Sequence, residues 1–136
     1  MSFAESVIIG SDLPELRLPP ITRANLALFA GASHDHTPIH IDIDYVRQMG
    51  RDDVFAHGMY VMANMARLLT DWRPQRNLLH LEGRFLDIVN VGNALRYTGK
   101  IIGIREVLEE RHADISILVV AQDGRAVMSG KSVVKL

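Results

Sequence analysis

The 136-residue chain contains no cysteine. That excludes a disulfide framework, a thiolate metal site and a cysteine nucleophile together. It also lacks an excess of charge of either sign: 15 Lys and Arg stand against 16 Asp and Glu, a formal net charge of −1. A near-neutral surface exerts no long-range pull on a phosphate backbone or an anionic membrane, so neither nucleic acid nor membrane is an expected partner. No apolar run approaches the ~18 residues that a membrane span requires. Met1–Gly10 carries Glu5 and no basic stretch ahead of a long apolar one, which argues against a secretory leader. Internal repeats and low-complexity tracts are absent as well. The 48% of hydrophobic and 23% of charged residues are ordinary for a globular protein and exclude disorder. The expectation is one cytoplasmic domain over residues 1–136, large enough to bury its own core.

What the chain does contain is a change of period. Pro14, Pro19 and Pro20 argue against continuous helix or central strand near the start. Thr22 reads as the N-cap of a short helix with Leu26, Phe29 and Ala30 on one side, ending near Ser33. A polar stretch, Ser33-His34-Asp35-His36-Thr37-Pro38-Ile39-His40, follows, and Pro38 predicts an extended or turned chain there. Asp42 and Asp44 read as the acidic opening of a second short helix through Met49, with Gly50 as its stop. From Gly58 to Trp72 no Pro or Gly intervenes, and an apolar stripe through Met59, Met62, Met65, Ala66 and Leu69, widened by Val61 and Leu68, predicts a helix buried on most sides.

Beyond Pro74 the period is two. Leu79, Leu81 and Phe85 alternate with polar residues, as do Ala113, Ile115, Ile117 and Val119, which predicts half-buried strands. Leu95–Ile104 reads as a further strand, with Gly99 and Gly103 marking bulges or close approach. Asp123-Gly124 reads as the turn of a hairpin between 112–122 and 126–135. The fold class is α+β, an antiparallel sheet packed on one long helix.

Two local features could carry chemistry. Asp35 is followed five residues on by His40, with Pro38 stiffening the link. A carboxylate and an imidazole aimed at one cavity can divide proton transfer between them. His57-Gly58 opens the long helix, whose first N–H groups lack intrahelical partners, and Gly58 would let a ligand oxygen reach a bare backbone donor. Read without those roles, the Asp35–His40 stretch is a solvated turn and His57 a helix cap.

The run from Gly31 to His40, G-A-S-H-D-H-T-P-I-H, followed by Ala56-His57-Gly58-Met59, resembles the MaoC-like dehydratases, also called (R)-specific enoyl-CoA hydratases or type 2 hydratases. Their loop motif has the form D-x-N-P-[IL]-H, and an H-G-[ML] segment opens their central helix. The resemblance extends over nearly the whole chain. It implies the hot-dog fold, an antiparallel sheet wrapped around a long central helix, with units paired into homodimers or higher homo-oligomers. It implies reversible hydration of a trans-2-enoyl thioester, CoA-linked, to the (R)-3-hydroxyacyl thioester. Asp35 would activate water, His40 would be its partner in proton transfer, and the Gly58 N–H would hold the thioester oxygen, with Thr37 and His57 beside them at the substrate. No metal and no organic cofactor is implied, coenzyme A being part of the substrate. Three positions depart from the family pattern. Thr37 stands for Asn and has a shorter reach, His34 stands for Gly before the aspartate, and Ile88-Val89-Asn90-Val91-Gly92-Asn93 stands for Pro-Val…Gly-Asp.

Other readings compete. His34, His36 and His40, with Asp35 and His57, suggest a metal site, although no second ligand cluster supports it. Met59, Met62 and Met65 could line an acyl tunnel, with plain core as the default. Arg47, Arg51, Arg67, Arg73 and Arg76 could meet a CoA phosphate or simply be solvated, and Trp72 reads as packing at the helix end. A hot-dog thioesterase would carry an acid on the central helix, and Met59–Leu69 has none. A non-catalytic acyl-binding subunit of a heteromeric dehydratase is the alternative from another class.

Overall fold

The period-two stretches become long strands, and the apolar stretch before them becomes the helix they pack against. The computed structural model describes residues 7–136; the first six, part of the segment read against a secretory leader, lie outside the described residues. In chain order the elements are β1 (Leu16–Arg17), α1 (Arg23–Ser33), α2 (Pro38–Ile41), α3 (Ile43–Gln48) and α4 (Gly58–Trp72). After a 3-10 turn at Gln75–Asn77 come β2 (Leu78–Phe85), β3 (Leu95–Val107), β4 (Glu110–Ala121) and β5 (Ala126–Lys135). The strands form one antiparallel sheet in the order β1-β3-β4-β5-β2, so β2 is an edge strand.

The turn and cap signals are met. Thr22 and Asn25 form a reciprocal capping box on α1. Asp42 caps α3 by accepting from the Tyr45 N–H rather than sitting inside its first turn. Gly50 and Gly124 both take positive φ, +86° and +89°. Gly103 follows a register shift in β3, while Gly99 lets Leu13 and Leu68 close in on the strand: a Cβ there would lie 3.2 Å from Leu13 Cδ2.

α4 is buried along one face, through Val61, Met65, Leu68 and Leu69, and not on most sides as its composition suggested. Met59 is exposed, because the opposite face has no layer of this chain to meet. Met65 lies so close to β5 that only a glycine fits at 130, where a Cβ would come within 2.5 Å of the Met65 sulfur. The buried Tyr97 hydroxyl donates to the Val61 carbonyl at 2.9 Å, tying β3 to the helix. β2 departs from its expected half-burial. A register irregularity near Leu79 turns that side chain outward, and Phe85 is exposed at the strand's end. Among the described residues no helix is long and apolar enough to cross a membrane.

Candidate active site

The segment from Ser33 to Gly58 departs most from the sequence reading. α1 ends at His34, which adopts φ 58°, the left-handed conformation usual for glycine at a helix end. Histidine tolerates it better than most residues, so the turn into Asp35 survives the missing glycine. Thr37 is extended (φ −56°, ψ 127°), as the following proline demands. The chain does not stay extended, however: Pro38 is the first residue of the one-turn helix α2, where its fixed φ suits the helix and its missing N–H costs nothing. His40 therefore projects from a helical turn.

Hydrogen bonds fix each side chain. The Thr37 hydroxyl donates to Asp35 Oδ1 at 2.6 Å, and the Thr37 N–H donates to the same oxygen at 3.2 Å. These donors, the hydroxyl first and the N–H second, hold the Asp35 carboxyl below its ordinary range, assisted by the nearby His40 and His57 and opposed by burial. Thr37 thus orients the carboxylate and is not among the residues lining the cavity described below. His40, 8% exposed, places Nδ1 2.7 Å from the Phe55 carbonyl. A carbonyl can only accept, so Nδ1 carries a proton and Nε2 is left for chemistry. Nε2 lies 4.0 Å from Asp35 Oδ2.

His57 does not cap α4, since its side chain makes no cap bond, and it does not line the cavity. It is 1% exposed, stacked on His40 with centroids 4.0 Å apart, and held against the edge of the Phe29 ring. Its Nε2–H donates to the Asp35 carbonyl at 3.1 Å, which leaves Nδ1 as a buried acceptor without a partner. Burial, reinforced by the charge of His40, pushes the His57 pKa down, so the ring is a neutral brace behind Asp35 and His40.

Gly58 is exposed at the first turn of α4, and among the described residues its N–H has no hydrogen-bond partner. It opens on a cavity of about 450 Å³, lined by His40, Phe55, Gly58, Val61, Val127 and the continuous stretch Phe85–Val89. The Phe85 ring closes over the glycine: a Cβ at Gly58 would sit 2.8 Å from Phe85 Cε1. The lining is mainly apolar with one open imidazole nitrogen and one open amide, the composition of a site for an apolar ligand with a polar head.

Asp35, His40 and His57 are thus brought together, with Thr37 on Asp35; of the residues singled out in the sequence His40 and Gly58 line the cavity, and Asp35 stands beside it, next to His40. Phe55, Phe85 and the stretch 86–89 were missed. Phe85 reads only as the end of an alternating strand, residues 86–89 follow no helical or alternating pattern, and the Phe55 carbonyl leaves no trace in a sequence. Met59, Met62 and Met65 do not line the cavity; from α4 Gly58 and Val61 do. Arg67 pairs with Asp71, while Arg51 and Arg73 lie over the rings of Phe55 and Trp72. Asp35, His40 and His57 each bring a potential metal ligand within 4.8 Å of the others, whereas His34 and His36 are not part of that group.

Comparison with known proteins agrees with this fold. Residues 2–122 match the family described as MaoC like domain. The chain is 27% identical over 116 residues to an (R)-specific enoyl-CoA hydratase of Aeromonas caviae, covering 83% of this chain and 84% of that protein. The crystal structure of the A. caviae (R)-hydratase superimposes with a TM-score of 0.85 at 25% identity, over 98% of this chain and 99% of that one. A mitochondrial 3-hydroxyacyl-[acyl-carrier-protein] dehydratase of Arabidopsis thaliana is 26% identical over 98 residues, 72% of this chain and 58% of that protein. The α+β sheet-and-helix arrangement is the hot-dog fold of these relatives.

Proposed function

The chain belongs to the MaoC-like dehydratase family, and from that premise we propose that it hydrates a trans-2-enoyl-CoA to the (R)-3-hydroxyacyl-CoA, reversibly. The relatives support hydration or dehydration of thioesters as its chemistry. The observation that carries the finer reading is the 4.0 Å gap between Asp35 Oδ2 and His40 Nε2, beside the cavity that begins at Gly58. Two atoms that far apart can share one water at hydrogen-bond distance from each, which is the role proposed for them.

The steps follow from that placement. Asp35 takes a proton from the water as its oxygen adds to Cβ. The enolate oxygen that develops at the thioester is held by the Gly58 N–H, at the positive end of α4. His40, protonated at Nε2, delivers its proton to Cα, and the proton on Asp35 returns to His40 to close the cycle. Thr37 keeps the Asp35 carboxylate ionised and aimed, and the Phe55 carbonyl keeps His40 from rotating. The acyl chain lies against Val61, Phe85 and Val127. All groups come from the protein and the thioester, and no step calls for a metal or an organic cofactor. The outer edge of β2, paired on one side only, is the place for a second copy of the chain, and a homodimer is the expected solution mass.

The test is turnover of a panel of trans-2-enoyl-CoA thioesters, read by loss of ultraviolet absorbance and chiral analysis of the product. The expected result is the (R)-alcohol, with kcat lowered by ~10²-fold or more in Asp35→Asn and in His40→Ala. A folded parent protein with no turnover on any CoA- or carrier-linked substrate would sink the proposal and leave a non-catalytic acyl-binding subunit in its place.

A further inference from the structure

The wall of the cavity opposite α4 is the stretch Phe85–Val89, five consecutive residues that run off the end of β2. Its backbone is tied at three points: Phe85 pairs with Met128 at the end of the β2–β5 ladder, the Leu86 and Asp87 N–H groups donate to the Val127 carbonyl, and the Ala56 N–H donates to the Val89 carbonyl. Otherwise it is a connection between strands, and such segments move unless side chains hold them.

One side chain, Arg125 on the turn between β4 and β5, does most of the holding. Its Nη1 donates to Asp87 Oδ2 at 2.8 Å and to the Ile88 carbonyl at 3.1 Å, and its Nη2 donates to Asn93 Oδ1 at 3.2 Å. Its Nε donates to Asp123 Oδ2 at 2.8 Å, which anchors the guanidinium to its own turn. Asp87 spends its other oxygen on the Ile88 N–H. A planar guanidinium with every nitrogen engaged fixes direction as well as distance, which a flexible ammonium cannot do. Arg125 does not line the cavity, and its partners Asp87 and Ile88 do.

We propose that Arg125 is a positioning residue that sets the distance of the Phe85–Val89 wall from α4, and through it the acyl-chain selectivity of the site. The inference rests on the acyl-thioester reading above. With the wall clamped, the cavity discriminates between chains by fit; with the wall released, it adapts to either.

Calorimetric titration of butyryl-CoA and octanoyl-CoA, saturated thioesters that cannot be hydrated, tests this without turnover. The parent should prefer one of the two, and Arg125→Gln should shrink that preference by about threefold or more, a fraction of the roughly tenfold or greater factor that pocket fit is worth for a single methylene. Asp87→Asn should shrink it less, because the bonds to Ile88 and Asn93 remain. Arg105→Gln, which removes an equally complete ion pair with Asp114 on the sheet, should leave it unchanged. A preference that survives Arg125→Gln, a parent that shows none, or an equal loss in Arg105→Gln would each overturn the inference while leaving the acyl-thioester reading intact. A parent that binds neither thioester would overturn both.

Discussion

β3 and β4 run in register from Leu95 opposite Ala121 to Val107 opposite Glu110, with one irregularity at Ile102, and their inward side chains are the plain core residues Tyr97, Ile101, Ile115, Ile117 and Val119. The segment from Ser33 to Gly58 is built otherwise. It has two buried histidines stacked on one another, an orphaned ring nitrogen and a helix that opens on an unprotected amide. In the sheet each residue is satisfied by its neighbours, whereas in the site several groups are left open by what surrounds them. Open groups of this kind cost stability and are kept where a ligand completes them.

The contrast breaks most sharply at two aspartates. Asp35→Asn removes the proposed base and should lower kcat by ~10²–10⁴-fold. The melting temperature should stay close to the parent's, because the side chain is half-exposed and the amide still accepts from Thr37. Asp114→Asn on β4 breaks the two-pronged ion pair with Arg105, an exposed pair whose loss should move the melt little, and kcat should be unchanged. Paired melting and turnover measurements decide; equal effects of the two changes on kcat would erase the distinction between the regions.

Two glycines come next. A Cβ at Gly130 meets the Met65 sulfur at 2.5 Å and the Glu82 carbonyl oxygen at 2.8 Å, and the carbonyl belongs to the neighbouring strand and cannot yield. Gly130→Ala should cost about 1–3 kcal/mol by overpacking. At Gly58 the obstacle is the ring of Phe85, 57% exposed and free to swing. Gly58→Ala should therefore melt close to the parent while the displaced ring blocks the cavity and lowers kcat/KM by about tenfold. Adding Phe85→Leu should restore turnover without changing the melt.

How legible each region was follows the same division. The four long strands, the long helix from Gly58 to Trp72 and the Thr22 cap were readable because each rests on a local pattern of period or hydrogen-bonding side chain, whereas the two-residue β1 among the prolines was not. Asp35 and His40 were readable through Pro38 and the spacing around it, but the helical turn that presents His40 was not, since Pro38 excludes helix before itself and favours it after. Thr37 shows its use only once its hydroxyl is seen on Asp35. His57 was placed at the substrate, and the fold puts it behind the dyad because a neutral imidazole can fill the space between Phe29 and His40. The wall at 85–89 and its clamp join positions nearly 40 apart, Asp87 and Arg125, and no local rule connects them.

The smallest expected effect concerns that brace. Below the ordinary histidine value of 6.5 an unfolded chain protonates His57, while the folded protein, whose ring faces Asp35 and His40 in a buried stack, resists. The unfolded state then binds more protons, so stability falls as pH drops from 6.5 toward the depressed folded value, by at most about 1.4 kcal/mol per pH unit. Asp35 acts in a separate and lower range: its carboxyl is held below the ordinary 3.8, so its contribution is present above that value and lost as pH falls through the folded one. His57→Gln keeps a donor for the Asp35 carbonyl and removes the titration. Denaturant unfolding of both proteins at pH 7.0, 6.0 and 5.0 (on the order of one pH unit apart, bracketing the histidine range) should show a flatter dependence in the variant. Parallel curves would mean that the buried ring carries no proton-linked strain, and that the open nitrogen of the site is stabilised by something other than the stack.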